Sequence, residues 1–340
     1  MDDSRGPGLM AGVRVAVGAG VDAAGAVAIT PTADVISTDG IAEAGESSTR
    51  ITILAPTLLL ADAAMSALAT GAPSRPWPAD TRLAAPPMPV VAIPDDLSFL
   101  DELSRAAFRA AVDDLVRTGA AVEQFGGAVV GESPTAARQL IDGTADALLV
   151  PTSGIPGISE DMCGVALPAG RAGVTVLARA FDDAVALDIA ARLTTDPAPV
   201  DVWPLAVAEH TELVVFGAHL RDGPLVYQLT DRGARFAGDI TTAPRYRMTA
   251  LPTSPPKPGV TRLPDGAAGA ALMGHRWLLS PAALGRFLAE LPAPMQLGKV
   301  EFADGTWRTA FGCDGSVEGV DVSHYGSWPA ALAAGAVPQT

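Results

Sequence analysis

The stretch "RVAVGAGVDAAGAVAIT", residues 14–30, decides how the first half of the chain is read. Val13, Val15 and Val17 alternate as in a strand, and Gly18, Gly20 and Ala23 follow with the spacing G-x-G-x-x-A. Asp39 lies about twenty residues on, where a dinucleotide fold places the acid that holds a ribose. A phosphate loop also needs a helix that starts at its glycines, so that the free amides face the pyrophosphate. The continuation has Gly25, then Val27, Ile29 and Thr30 in alternation, then Pro31, which is a strand-like run. The pattern favours strand, turn and strand over a nucleotide site.

Outward from that stretch, short β-branched runs alternate with helical patterns up to about residue 195: "RITIL" with a helix over 58–69, "MPVVAIP" with a helix over 97–117, "ADALLVP", and "GVTVLA" with a helix over 182–193. Such alternation predicts an α/β domain with a largely parallel sheet covered by helices. The proline-dense segment 70–90 reads as a surface connection. "TTDPAPVDVWP", residues 194–204, reads as an interdomain linker. Beyond it the texture changes to short strands ("TELVVFG", "YRMTALP", "HRWLL", "KVEFADG", "WRTAFG") and two helices, one opening at Pro281 after Ser280 and one near Ser327. The expected domains are 12–196 and 205–335, consistent with what 340 residues can bury.

The formal charge of −15 opposes nucleic acid and anionic membrane surfaces, and no run of Lys or Arg offers a local exception. The most apolar window, "ITILAPTLLLADAAMSALA", is broken by Pro56 and Asp62, so it reads as a strand and a buried helix and not as a membrane span. "MDDSRGPG" has acids where a secretory signal has basic residues, so the expected location is cytoplasmic. Cys163 and Cys313 offer neither a disulfide framework nor a metal pair and read as buried free thiols. His210 and His324 lack a second ligand at metal spacing, so neither a metal nor another cofactor is expected. Of the 23 basic residues only Lys257 and Lys299 are lysine.

A family resemblance covers about residues 12–330. "GVRVAVGAGVDAAG", "DVISTDGIAEAGESSTRITILAPTLLLADAAMSAL", "FRAAVDDLVRTGAAVEQ", "ADALLVPT", "DMCGVALPAG" and "GVTVLARAFDDAVALDIAARL" resemble, in order, parts of amidase-signature enzymes. "VFGAHLRDGPLVYQLTDRGARFAGDITTAPRYRMTALP", "PPKPGV", "LSPAALGRFLAELPAPMQLGKVEFADG" and "FGCDG" resemble the C-terminal domain of allophanate hydrolases. The resemblance implies a truncated amidase-like mixed sheet with helices, then a smaller α+β domain of the γ-glutamyl-cyclotransferase type, a small β-barrel.

For the first domain it implies a lost activity. Amidase-signature chemistry needs a neutral lysine acting on a serine held in a Gly-Ser-rich loop, with backbone donors for the oxyanion. The family lysine aligns with Gly18, no lysine precedes Lys257, and the matched segments join between Ala33 and Gly40 where the serine loop belongs. Ser47 and Ser48 beside Glu46 read as a polar surface turn.

For the second domain the resemblance singles out His219 as general base or anion-orienting group, with a hydrogen-bonded strand-end histidine as the alternative. Gln228, Arg232, Arg245 and Tyr246 are its expected substrate-binding partners, for a small ureido or carbamate anion. Related domains carry acids where this chain has Met273 and His275 before Trp277, and His275 reads as either a new partner or a structural residue. The expected function is that of an allophanate-hydrolase-like amidohydrolase of urea or ureido-nitrogen degradation, with an inactive amidase site and any residual activity in the second domain. A non-catalytic assembly or regulatory partner, as a homo-oligomer or with another urea-degrading enzyme, is the alternative.

Overall fold

The computed structural model describes residues 12–17, 25–37, 51–69, 75–125, 141, 143–153, 158–159, 161–169, 173–195 and 199–337. Gly18, Gly20, Ala23, Asp39, Glu46, Ser47 and Ser48, on which the nucleotide and serine-loop readings turned, lie outside them. The chain divides into two units, 1–208 and 209–340.

Among the described residues the first unit has eight strands: β1 (Arg14–Val17), β2 (Val27–Thr30), β3 (Ile51–Ala55), β4 (Val90–Pro94), β5 (Ala121–Phe125), β6 (Ala147–Pro151), β7 (Met162–Leu167) and β8 (Val174–Arg179). They form one mixed sheet in the order β1-β3-β2-β7-β8-β6-β4-β5. The Val27–Thr30 alternation is a strand paired on both sides, to β3 and β7, in the place where a dinucleotide fold would run a helix.

The expected parallel sheet is corrected. Among the described residues parallel pairing is confined to β4 with β5 and β4 with β6, and the other pairs are antiparallel. The reason is connectivity, because a parallel pair needs a crossover, and α2 (Glu102–Arg117) supplies it between β4 and β5. β7, which the alternation did not reveal, enters as a hairpin with β8 across a turn in which Gly173 has φ +62°.

Among the described residues, the helices given bounds on this sheet are α1 (Leu58–Leu68), α2 and α3 (Asp183–Ala191). Thr57 caps α1 by accepting from the Leu60 amide at 3.2 Å, and Asp101 caps α2 from the Ser104 amide at 2.7 Å. The proline-dense segment is clamped by Arg82, whose Nε and Nη2 hold both oxygens of Asp182 at 2.9 and 2.7 Å while Nη1 reaches Asp146 at 2.5 Å. Asp182 precedes α3 but makes no side-chain cap, since Arg82 and Arg179 occupy its carboxylate. The expected linker is partly drawn inward. Val202 and Trp203 are buried in the first core, and the Trp203 amide donates to Asp62 at 2.9 Å.

The second unit has a five-stranded sheet, order β10-β13-β9-β15-β14, and a three-stranded sheet, order β12-β11-β16. Their strands are β9 (Thr211–Val215), β10 (Arg235–Thr241), β11 (Tyr246–Leu251), β12 (Lys257–Arg262), β13 (Met273–Leu279), β14 (Met295–Glu301), β15 (Trp307–Cys313) and β16 (Val320–Asp321). The two sheets approach where Gly259 of β12 meets β15, since a Cβ there would lie 2.5 Å from Cys313 Sγ. Among the described residues no strand pairing joins them into one closed barrel. Three helices complete the unit: α4 (Tyr227–Thr230), α5 (Pro281–Ala289) and α6 (Trp328–Ala333). Both expected helix starts are present, with Pro281 at the first position of α5 and Ser327 Oγ accepting from the Ala330 amide at 3.3 Å. Both cysteines are buried thiols. Among the described residues no helix is long and apolar enough to cross a membrane.

Candidate functional site

The site grows from the end of β9, where the strand leaves the sheet as Phe216-Gly217-Ala218-His219. Position 217 has room for nothing larger than glycine, because a Cβ would sit 2.1 Å from Cδ of Pro258. The chain then folds back on itself, with the Leu220 amide donating to the Gly217 carbonyl and the Leu225 amide to the Ala218 carbonyl, each at 2.8 Å. Gly223 makes that return possible, since a Cβ there would lie 2.3 Å from the Ala218 oxygen. The return leads into α4 and brings Gln228 to His219.

His219 is 7% exposed. Its ring stacks on Phe311 with centroids 5.1 Å apart and meets the edge of Phe287 at 5.4 Å. Gln228 turns its amide oxygen to His219 Nε2 at 2.8 Å, so Nε2 carries the proton and Nδ1 the lone pair. Burial pushes the His219 pKa below its ordinary value of 6.5; the Gln228 bond opposes that shift and the Lys257 charge adds to it. The ring is therefore neutral at neutral pH.

A cavity of about 180 Å³ opens beside this histidine. Its apolar wall includes Phe216, Phe287, Leu291 and Phe311, and its charged groups are Lys257 and Glu290. Lys257 forms no ion pair with a described acid. The consecutive amides of Gly217, Ala218 and His219, all buried residues on the cavity wall, donate to no acceptor among the described residues. Buried backbone amides are nearly always paired, and successive free ones form a concavity suited to an anion. Lys257, three residues whose amides find no acceptor among the described residues, and a neutral imidazole line one small space.

The structure brings together two of the five expected residues, His219 and Gln228, on this cavity. Arg232 stands behind it: Nη1 donates to the Gln228 carbonyl at 2.7 Å, Nη2 pairs with Glu290 at 2.5 Å, and the guanidinium lies over the Phe287 ring at 5.9 Å. It fastens α4 to the end of α5. Arg245 and Tyr246 do not line the cavity. Arg245 is half exposed and pairs with Asp265 at 3.1 Å, and Tyr246 is buried in the core with its hydroxyl accepting from the Glu301 amide at 2.7 Å. Their partners are already within the protein, which explains their placement without a ligand. His275 is also off the cavity wall, and it bonds to the Arg221 amide instead of His219. Among the described residues no three His, Cys, Asp or Glu side chains cluster as metal ligands would.

Sequence reasoning missed Lys257 and Glu290. Lys257 had a signal, as one of two lysines in the chain and part of the quoted "PPKPGV". Glu290 had none, because only the packing of α5 carries it to the rim.

Residues 211–333 match the allophanate hydrolase C-terminal domain family. The fold of the whole chain is that of an allophanate-hydrolase-like protein with an amidase-like part: urea amidolyase of K. lactis superposes with a TM-score of 0.75 at 21% identity, over 95% of this chain and 27% of that one. Allophanate hydrolase of Kluyveromyces lactis superposes with a TM-score of 0.71 at 19% identity, over 95% of this chain and 73% of that one.

Two curated relatives narrow the kinship. Urea amidolyase of Lachancea kluyveri is 28% identical over 200 residues, 49% of this chain and 11% of the relative. Urea amidolyase of Saccharomyces cerevisiae is 33% identical over 125 residues, 35% of this chain and 7% of the relative. The chain thus spans a small part of the urea amidolyases it matches.

Proposed function

We propose that this protein acts in urea or ureido-nitrogen degradation and that its working site is the His219 cavity of the second unit, which takes a small carbamate-like anion. The observation that carries this reading is that Lys257, residues 217–219 with their unbonded amides, and a neutral imidazole line the same cavity. The cation and the amides hold the carboxylate end of the ligand. His219, neutral at rest, takes a proton from solvent on Nδ1 and passes it to the carbamate nitrogen as the C–N bond breaks; the bonding electron pair stays on nitrogen, carbon dioxide leaves and the ring returns to its neutral form. Burial makes the imidazolium a stronger acid than it is in water, which suits that transfer.

The first unit serves as a scaffold in this reading. The absence of any lysine from residues 1–256 supports it, because the amidase step needs a lysine base. The same reading places the protein in the cytoplasm. Its test has two parts. Purified protein with allophanate should release no ammonia above background, and release at an enzymatic rate would overturn the scaffold role. Oxamate, a small carboxylate bearing an amide, should bind at neutral pH and perturb the Gly217–His219 amides in NMR spectra. Lys257→Met should weaken that binding about tenfold, the effect of one charge-assisted hydrogen bond. Equal binding by wild type and Lys257→Met would overturn the assignment of the site.

A further inference from the structure

His275 stands on β13, directly across from Asp239 of β10 on one side and Val215 of β9 on the other. Its Nδ1 lies 2.9 Å from the backbone nitrogen of Arg221, two residues past His219 in the loop that shapes the cavity. A peptide N–H can only donate, so Nδ1 must present its lone pair, and the ring proton is on Nε2, 3.4 Å from Asp239 Oδ1. Arg221 is held a second time by its guanidinium, which lies over the Phe236 ring at 5.0 Å, while Phe236 meets the edge of His275 at 5.3 Å. One residue of the loop is therefore fixed to two neighbouring strands, and the backbone part of that hold exists only while the imidazole is neutral.

We propose that His275 is a positioning residue that locks the 217–225 loop to the sheet through Arg221 and releases it on protonation, making the shape of the cavity pH-dependent. A proton on Nδ1 sets two N–H groups against each other and breaks the bond. The same proton strengthens the ring's attraction to Asp239, across the strand, and to Asp222, in the loop, whereas the Arg221 guanidinium opposes it. Acidification thus exchanges a loop anchor for carboxylate pairing. Burial, the largest influence, pushes the His275 pKa below its ordinary 6.5, Asp239 and Asp222 pull it back up, and Arg221 pushes it down again. For a base depressed on folding, the locked state is fully present above the ordinary value and is lost as pH falls through the folded one. The His219 pKa is also lowered, but its ring bonds to Gln228 and not to the loop backbone, so variants at position 275 separate the two.

This proposal concerns the loop and does not require that the ligand be a carbamate. Its test is NMR on the full chain. At neutral pH the His275 Nδ1 shift should be that of an unprotonated nitrogen, and the Arg221 amide should be protected from exchange. On acidification that protection should fall about tenfold in step with the His275 titration. His275→Asn keeps an acceptor near the Nδ1 position that cannot titrate, so the Arg221 amide should stay protected at both pH values. His275→Ala removes the acceptor, and the amide should be unprotected at both. A protonated Nδ1 at neutral pH, or an Arg221 amide indifferent to pH and to both substitutions, would overturn the proposal. If the loop responds as described while oxamate binds at no pH, the lock stands and the carbamate reading of the cavity falls.

Discussion

The two units put polar groups to different uses, although both hold internal ion pairs: in the second, Arg276 and Arg308 close on Glu212 at 2.8 and 3.0 Å. In the first, charges face each other across the fold: Arg82 closes on Asp146 and Asp182, and Asp183 accepts from the Thr32 amide and hydroxyl at 2.9 and 2.6 Å. In the second, polar residues also line a cavity: Lys257, residues 217–219 with their unbonded amides, and His219 stand on its wall. Polar groups that satisfy each other hold segments together, whereas groups left facing a void are available to a ligand. On the proposed function, the cavity gives the second unit a binding task, beside the ion pairs that hold segments of both units together.

The contrast can be broken most forcefully at Arg82. Arg82→Met leaves two poorly exposed carboxylates without their cation, and the expected loss is about 3–5 kcal/mol, since stranding one side of a desolvated pair is costly. Hydrogen exchange should localise the loss to the first unit. Equal loosening of β9 and β13 would show that the units do not divide the work as described.

Asp183 sharpens the same point through pH. Burial raises its carboxyl from 3.8 to about 6, against the pull of the Thr32 bonds. The folded protein therefore holds this proton more tightly than the unfolded chain, so its contribution is present at low pH and is lost as pH rises through about 6. The shift corresponds to a loss of up to about 3 kcal/mol. Denaturant melts across that window should show the decline, and Asp183→Asn, neutral at every pH, should flatten it. An unchanged slope in that variant would exclude Asp183 as its source.

In the second unit, Gly217→Ala forces a methyl against Pro258 and should cost about 1–3 kcal/mol by overpacking, together with the oxamate response of the 217–219 amides. Intact binding in a stable variant would mean that the cavity does not depend on this close approach. The smallest effect is expected at Arg245. Its pairs with Asp265 and Glu301 are exposed, so Arg245→Ala should change stability by about 0.5 kcal/mol or less and leave oxamate binding untouched. A binding defect there would return Arg245 to the site.

Much of the fold was legible locally. The Val27–Thr30 alternation announced a strand where a nucleotide loop needs a helix, and the Ser-Pro start at 280–281 and Ser327 announced α5 and α6. Strand direction was not legible, because it depends on which strands become neighbours, and the β7 hairpin changed that without any local mark. The linker misled for a similar reason: its prolines describe the backbone, whereas Trp203 was drawn into the core by its own surface area.

At the site, His219 and Gln228 were legible because nine residues of chain and one glycine turn bring them together. Arg232, Arg245 and Tyr246 carry the right chemistry for anion or amide recognition, but the fold gave each an internal partner. Sequence by itself determined the backbone devices: which runs extend, where helices begin, which glycines permit a turn, and that no lysine precedes residue 257. Only the tertiary structure decided which polar groups remain free. Partnership between residues far apart in the chain is set by packing, and packing placed Lys257 at the cavity, Glu290 at its rim and His275 behind its loop.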